Sequence, residues 1–175
     1  MNLYLRLILT LIRSLVKPAI KIGDTIELNL RVLPNDLDFN GHMNNGRYLT
    51  ILDLALIEYM TRAGLVRLGI KNGWKPVLGA SIVSYRKGLK PFATYSLRFS
   101  LVCWDAQWSY MTFEFICNGR VMAVGHNKGA IIGRKGIVPS DELYKSLGFL
   151  QNSPAIPASI GAWLEAERLM NSASA

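Results

Sequence analysis

The first seventeen residues carry polar side chains at Asn2, Arg6, Thr10, Arg13 and Lys17, with Leu and Ile filling most of the positions between. Spacings of four, four, three and four residues place these on one stripe of a helix whose remaining surface is apolar. The run from Thr25 to Leu33 then alternates apolar and polar, the pattern of a half-buried strand. Pro34 to Asn45 is a polar loop in which Asn40-Gly41 signals a turn. From Gly46 to about Leu68 polar positions are few, which predicts one long, largely buried helix closed by Gly69 as its C-cap. Beyond Lys71–Pro76 the period changes to two. Strands are predicted over Val77–Arg86, Thr94–Cys103, Trp108–Cys117 and Arg120–Ile132, with Asn118-Gly119 as a two-residue hairpin turn. Ser140 is placed as the cap of a short helix reaching Leu147, and Pro157–Met170 as a C-terminal amphipathic helix.

One strand, a long buried helix and four successive antiparallel strands make an α+β arrangement, because a single buried helix needs a curved sheet to wrap it. At 175 residues the chain is one domain's worth, with no internal repeat. Half of the residues are apolar and only 18% are charged, which excludes an intrinsically disordered chain. The N-terminal apolar segment is interrupted by Arg6 and Arg13, too soon for a spanning helix, which wants about 20 apolar residues. Lys17-Pro18-Ala19-Ile20 offers no small-x-small cleavage site. Two readings of residues 1–20 stay open: an interfacial helix on a membrane surface, or a terminal helix packed on its own domain or on a partner subunit. Cys103 and Cys117 cannot build a disulfide framework or a four-thiolate zinc site. They are expected as buried thiols on strands in a reducing cytoplasm, with the chain peripheral at the inner membrane if residues 1–20 bind lipid. Two histidines leave little for a metal centre, and no metal or redox cofactor is indicated.

Charge narrows the ligand. Twenty basic against twelve acidic residues give +8. No acid occurs between Tyr59 and Trp104, nor in the first 23 residues. Nucleic-acid motifs are absent, so the basic residues suit a small phosphate-bearing ligand. Arg86, Lys87, Lys90 and Arg134 fall at predicted strand ends, where loops reach a ligand.

The densest functional cluster is Asn35-Asp36-Leu37-Asp38-Phe39-Asn40-Gly41-His42-Met43-Asn44-Asn45, between the first strand and the long helix. Asp36 reads as a loop-capping Asx turn and Asn44 or Asn45 as the helix N-cap. The unpaired N–H groups of a helix start can hold a developing oxyanion, and a nearby carboxylate can serve as base or nucleophile. His42 by spacing alone is a surface histidine. Tyr48, Leu52, Leu56 and Tyr59 share a helix face that is core by default and would also suit the lining of an acyl tunnel.

The run from Asp36 to Leu49 resembles the signature of hotdog-fold thioesterases. It is similar to the 4-hydroxybenzoyl-CoA type in its Asp-x-Asp-x-x-Gly core, in Tyr48 and in Asp53, and closer still to the Asp-x-Asn-x-His-x-Asn-Asn-x-x-Tyr run of plant acyl-ACP thioesterases. The N-terminus, Ser84-Tyr85-Arg86-Lys87 and Trp104-Asp105 resemble a branch of the superfamily found in animals and bacteria. The resemblance spans roughly residues 24 to 138. It implies a hotdog domain at 23–139, an antiparallel sheet of about five strands around the long helix, flanked by an N-terminal helix (1–22) and a C-terminal helical extension (140–175). It implies hydrolysis of acyl-CoA of medium or long chain, with Asp38 as base or nucleophile, Asn40 and His42 beside it, and the Asn45 N–H polarising the thioester carbonyl. Tyr48, Arg86, Lys87, Lys90 and Arg134 are the expected substrate contacts. It also implies a homodimer, or a tetramer as a dimer of dimers, joined edge to edge with the site at the interface. One departure stands out: Tyr85-Arg86-Lys87 is followed by Gly88 and Leu89, where the acyl-ACP enzymes continue with a glutamate and a cysteine. Two other readings remain: a non-catalytic acyl-CoA or lipid binder at the membrane surface, and a hotdog hydratase. The hydratase pattern Asp-x-Asn-Pro-x-His is off by one residue at His42 and lacks its proline.

Overall fold

The computed structural model describes residues 3–172; Asn2, the first position of the N-terminal polar stripe, lies outside them. The elements in chain order are α1 (Leu3–Val16), β1 (Thr25–Arg31), α2 (Asn45–Arg62), α3 (Leu65–Asn72), β2 (Lys75–Tyr85), β3 (Thr94–Trp104), β4 (Ser109–Cys117), β5 (Arg120–Gly133), β6 (Gly136–Ile137), α4 (Ser140–Ser146) and α5 (Ala158–Ser172). The strands form one antiparallel sheet in the order β1-β3-β4-β5-β2, with the short β6 pairing β5. Asn118 and Gly119 both take left-handed conformations, as a two-residue hairpin between twisted strands requires.

The predicted single helix is two. The chain takes φ +82° at Gly64, a conformation a glycine accepts without cost, and α3 starts from there. Gly69 therefore lies inside α3, and Gly73 closes it instead. Ser140 is the first residue of α4 rather than its cap; Pro139 holds the cap position and makes no side-chain bond.

Helical spacing gives α2 three working faces. Tyr48, Leu52, Ala55 and Tyr59 are buried against the sheet, where Phe99, Phe113 and Phe115 meet them. Arg47, Ile51, Leu54 and Glu58 turn towards α1. Leu56 and Met60, with Asp53 on the same side, look towards β2. The opposite face of the sheet is not bare: α5 packs Ile160 and Trp163 against Cys103 and Tyr110, and Lys128 on β5 bonds Glu167 at 2.6 Å. Of the two cysteines only Cys103 is fully buried; Cys117 is half-buried, its thiol donating to the Thr94 carbonyl.

The N-terminal helix lies the other way round from its sequence pattern. Arg6 of its polar stripe faces the protein beside Ser14 and Leu7, Arg13 stays exposed, and much of the apolar surface faces out. Arg6 and Ser14 are buried, while Leu5, Ile8, Ile12, Leu15 and Val16 are exposed. The cause is two carboxylates on the domain, Asp36 and Glu58, each at most 2% exposed. A buried charge without a partner costs several kcal/mol, so the cations of α1 are drawn inwards. Lys17 donates to both Glu58 oxygens at 2.8 Å, and Arg62 adds a further bond to the same group. Arg6 reaches Asp36 eleven residues before Lys17, and Arg47 reaches it eleven before Glu58, so α1 and α2 run parallel.

Close packing of β2 on β5 depends on Gly125. A Cβ there would run into the Ile82 carbonyl oxygen and the Phe113 ring. Gly125→Ala is expected to cost at least about 2 kcal/mol, lowering Tm by roughly 4–8 °C in a thermal melt.

Candidate active site

Residues 33–44 leave β1, pass through a short 3₁₀ turn at Pro34–Asp36 and return to open α2. The turn is built on Asp36, which is fully buried. Its carboxylate accepts from the Leu33 N–H at 2.9 Å, from Arg6 at 3.0–3.1 Å and from Arg47 at 2.9–3.2 Å. Its carbonyl accepts from the Asn44 N–H at 2.8 Å. Asp36 is therefore not the Asx turn expected from the sequence: its side chain bonds back to Leu33 and the Asp38 N–H goes to the His42 carbonyl, because the carboxylate is a buried junction of α1, the loop and α2. Arg6 also donates to the Arg31 carbonyl at 2.8 Å, which fixes the end of β1 to the same point.

Asp38 sits two residues on, half-buried, at the lip of this junction. Its Oδ1 accepts from the Asn40 N–H at 2.9 Å and lies 3.4 Å from the His42 N–H, while its own N–H and carbonyl bond His42 and Gly41. The carboxylate is thus aimed by the turn it closes. Asn40 meets it through the backbone, and the Asn40 side chain is exposed. The His42 ring is also exposed and lies on Gly88, where a Cβ would come within 3.0 Å of two ring carbons. This gives the departure after Lys87 a local reason, since the glycine leaves room for the imidazole.

Asn44 caps α2, its Oδ1 accepting from the Gly46 N–H at 2.8 Å. Asn45 is then the first helical residue, whose N–H has no acceptor within the helix by position. The Asn45 carbonyl accepts from the Tyr85 hydroxyl at 3.0 Å, so the end of β2 is tied to the helix start. Tyr48 is in the core rather than on a wall open to solvent, at 1% exposure. Its hydroxyl accepts from the Leu89 N–H, and burial holds its pKa above the usual phenol value. The Met43 N–H to Leu89 carbonyl bond, 2.9 Å, completes the tie between the loop and residues 85–90.

Asp38, Asn40, His42, Asn45 and Tyr48 therefore share one end of α2 with Arg86, Lys87 and Lys90. Lys87 and Lys90 line a cleft of about 470 Å³ with Gly88, Asn118 and Arg120. Arg134 is not brought there. It lies at the β5–β6 turn beside Trp74 and Glu142, about 40 Å along the strand from the Arg86 partner Met122 at some 3.3 Å per residue. The apolar lining also lies at the far end: Leu56, Met60, Val77, Leu78, Met111 and Ile131 surround a cavity of about 240 Å³. Arg6, Arg47 and Tyr85 are structural members of the site that sequence reasoning did not assign. Only Asp53 carried a hint among the other carboxyls; its pKa is raised by partial burial on the α2 face towards β2.

The geometry belongs to a known class. A family model described as the thioesterase-like superfamily matches residues 32–164. The chain belongs to that superfamily. It is 31% identical over 173 residues to the Drosophila melanogaster protein THEM6, covering 96% of this chain and 87% of that one. The Xenopus laevis protein THEM6 is 29% identical over 168 residues, covering 93% and 78%. Among solved structures, the BH1999 gentisyl-coenzyme A thioesterase superposes with a TM-score of 0.61 at 20% identity, over 70% of this chain and 98% of that one. SAV2348 from Staphylococcus aureus, solved in complex with CoA, gives 0.64 at 13% identity, over 81% and 95%. These likenesses establish the hotdog fold, a helix wrapped by a curled antiparallel sheet.

Loss of Arg6 leaves Asp36 buried with Arg47 as its remaining cation. Arg6→Ala is expected to lose about 3 kcal/mol, roughly 6–12 °C in Tm, and to raise amide exchange in residues 33–44. Arg6→Lys should recover only part of it, having one ammonium where the guanidinium serves both Asp36 and the Arg31 carbonyl.

Proposed function

We propose that the protein is an acyl-CoA thioesterase acting on medium- or long-chain thioesters, with Asp38 as general base or nucleophile. The observation that carries this is the half-buried Asp38 carboxylate, held by its own turn in the short loop that opens into the start of α2. A thioester carbonyl bound at the Asn45 N–H would develop its oxyanion at a helix start, where the dipole and unpaired donors stabilise it. Attack on the acyl carbon by water that Asp38 deprotonates, or by Asp38 itself followed by hydrolysis, breaks the C–S bond and releases the CoA thiol. Lys87, Lys90 and Arg120 around the adjoining cleft suit the phosphates of CoA.

The reading includes a homodimer. β2 is an edge strand of eleven residues with Leu78, Ile82 and Tyr85 exposed, and an open edge of that length needs a cover. Pairing two β2 strands antiparallel would set the Lys75 end of one copy beside the Tyr85 end of the other. The apolar cavity and the Arg134 turn of one chain would then approach Asp38 of its neighbour, which accounts for their distance within a single chain. A tetramer is less well supported, because α1 and α5 already cover the outer side of α2 and the back of the sheet.

Two measurements test this. Thiol release from acetyl- to palmitoyl-CoA should show a chain-length optimum, and Asp38→Asn should reduce kcat about a hundredfold or more with the fold intact by circular dichroism. No turnover on any thioester by the wild type, with acyl-CoA still bound, would favour the binding-protein reading. Leu78→Lys/Ile82→Lys places like charges across a two-fold edge and is expected to shift the sedimentation mass from dimer to monomer. Turnover should fall with it; a wild-type monomer with full turnover would refute the shared site.

A further inference from the structure

We propose that the outward face of α1 is a docking surface for an anionic lipid bilayer, displayed by the domain rather than hanging from it. Tyr4, Leu5, Ile8, Ile12, Leu15 and Val16 form this face and are 47–85% exposed. They recur at the spacing of one side of a helix. A soluble helix ordinarily turns such a side inwards. Here the inward side is polar, pinned by Arg6 to Asp36 and by Lys17 to Glu58. Rolling the helix over to hide its apolar side would leave buried Asp36 with Arg47 alone and buried Glu58 with Arg62 alone, so the ion pairs hold the apolar face in the open.

The chemistry of the surroundings selects the occupant. Arg13 is exposed on the flank of this face and Lys21 is exposed in the turn that follows α1, no acid occurs before Asp24, and the chain carries +8. An apolar strip bordered by cations fits the boundary between acyl chains and acidic headgroups. No helix among the described residues is long and apolar enough to cross a membrane, so the contact is lateral. A second copy of the chain fits less well. A helix of 14 residues is about 21 Å long, and a strip about 10 Å wide offers roughly 200 Å², far below the ~800 Å² per partner of a stable interface. The open edge of β2 is the better place for a second copy.

The inference is independent of the thioesterase reading, and its test needs no turnover. Full-length protein is sedimented with vesicles of phosphatidylcholine and phosphatidylserine at about 7:3, and with phosphatidylcholine alone. Ile8→Glu/Ile12→Glu alters exposed side chains only, leaving Arg6, Ser14 and Lys17 in place; a retained Tm confirms that the helix stays docked. The expected result is cosedimentation with the mixed vesicles, at least tenfold weaker for Ile8→Glu/Ile12→Glu and severalfold weaker for Arg13→Glu/Lys21→Glu or on phosphatidylcholine alone. Deletion of residues 1–20 is the poorer variant, because it uncovers Asp36 and Glu58 and perturbs the fold. Equal binding by Ile8→Glu/Ile12→Glu would overturn the proposal, as would wild type that stays in the supernatant. A wild-type dimer that dissociates only in Ile8→Glu/Ile12→Glu would overturn it in favour of a contact between copies.

Discussion

The buried carboxylate of Asp36 is the constraint on which the architecture around the site depends. One group with no contact to solvent takes bonds from Arg6 on α1, Arg47 on α2 and the Leu33 N–H at the end of β1. Three elements far apart in sequence are thereby fixed at a point two residues from Asp38. The desolvation cost of a carboxylate in that position is several kcal/mol, and it is offset only while both guanidiniums are present. The loop can then be short, polar and still well placed, because its backbone is anchored at Asp36, Met43 and Asn44. A second buried carboxylate, Glu58, repeats the arrangement at the other end of α2 with Lys17 and Arg62. Together the two set the orientation of α1, and with it which side of that helix meets the solvent.

Much of the fold was legible because its elements obey local rules. The period-two stretches place four strands to within a residue or two, and Asn118-Gly119 marks the hairpin that joins two of them. The hotdog arrangement followed from the Asp36–Leu49 motif and the order of elements. The errors came from long-range terms. The α2–α3 break at Gly64 lies in a sequence that is locally helical on both sides, and it rests on the left-handed conformation that Gly64 takes. The choice between the two readings of α1 was left open for the same reason. A stripe with Arg6 and Lys17 reads as a solvated face unless the partners at Asp36 and Glu58, 30 and 41 residues away, are known to be buried.

The site was legible as a cluster but not as a geometry. The motif brought Asp38, Asn40, His42 and Asn45 together, and the structure places their backbones within one turn and the start of α2. It did not reveal that Asn40 and His42 reach Asp38 through N–H groups, that Tyr48 serves as a buried post for Leu89, or that Tyr85 closes on Asn45. Grouping Arg134 with Arg86, Lys87 and Lys90 assumed that all strand ends are equivalent. In an antiparallel sheet, alternate ends lie on opposite rims, and β5 is long enough to put Arg134 at the wrong one.

That separation carries a consequence for how such a chain could work. Asp38 and the cations of the adjoining cleft are at one rim, whereas the apolar cavity lies towards the other. An acyl thioester has the same division, a charged carrier at one end of the reacting carbonyl and an apolar tail at the other. In the proposed dimer an open β2 edge whose two ends differ in this way would be self-complementary about a two-fold axis, with each rim meeting the opposite rim of the other copy. Lys75 and Pro76 guard only the first residues of that edge; beyond them Leu78 and Ile82 are exposed with no charge between them, which suits pairing. The helix α1 is held to α2 and its loop by the Arg6–Asp36 and Lys17–Glu58 pairs, so the proposed lipid contact and the proposed β2 pairing would use different surfaces of the chain.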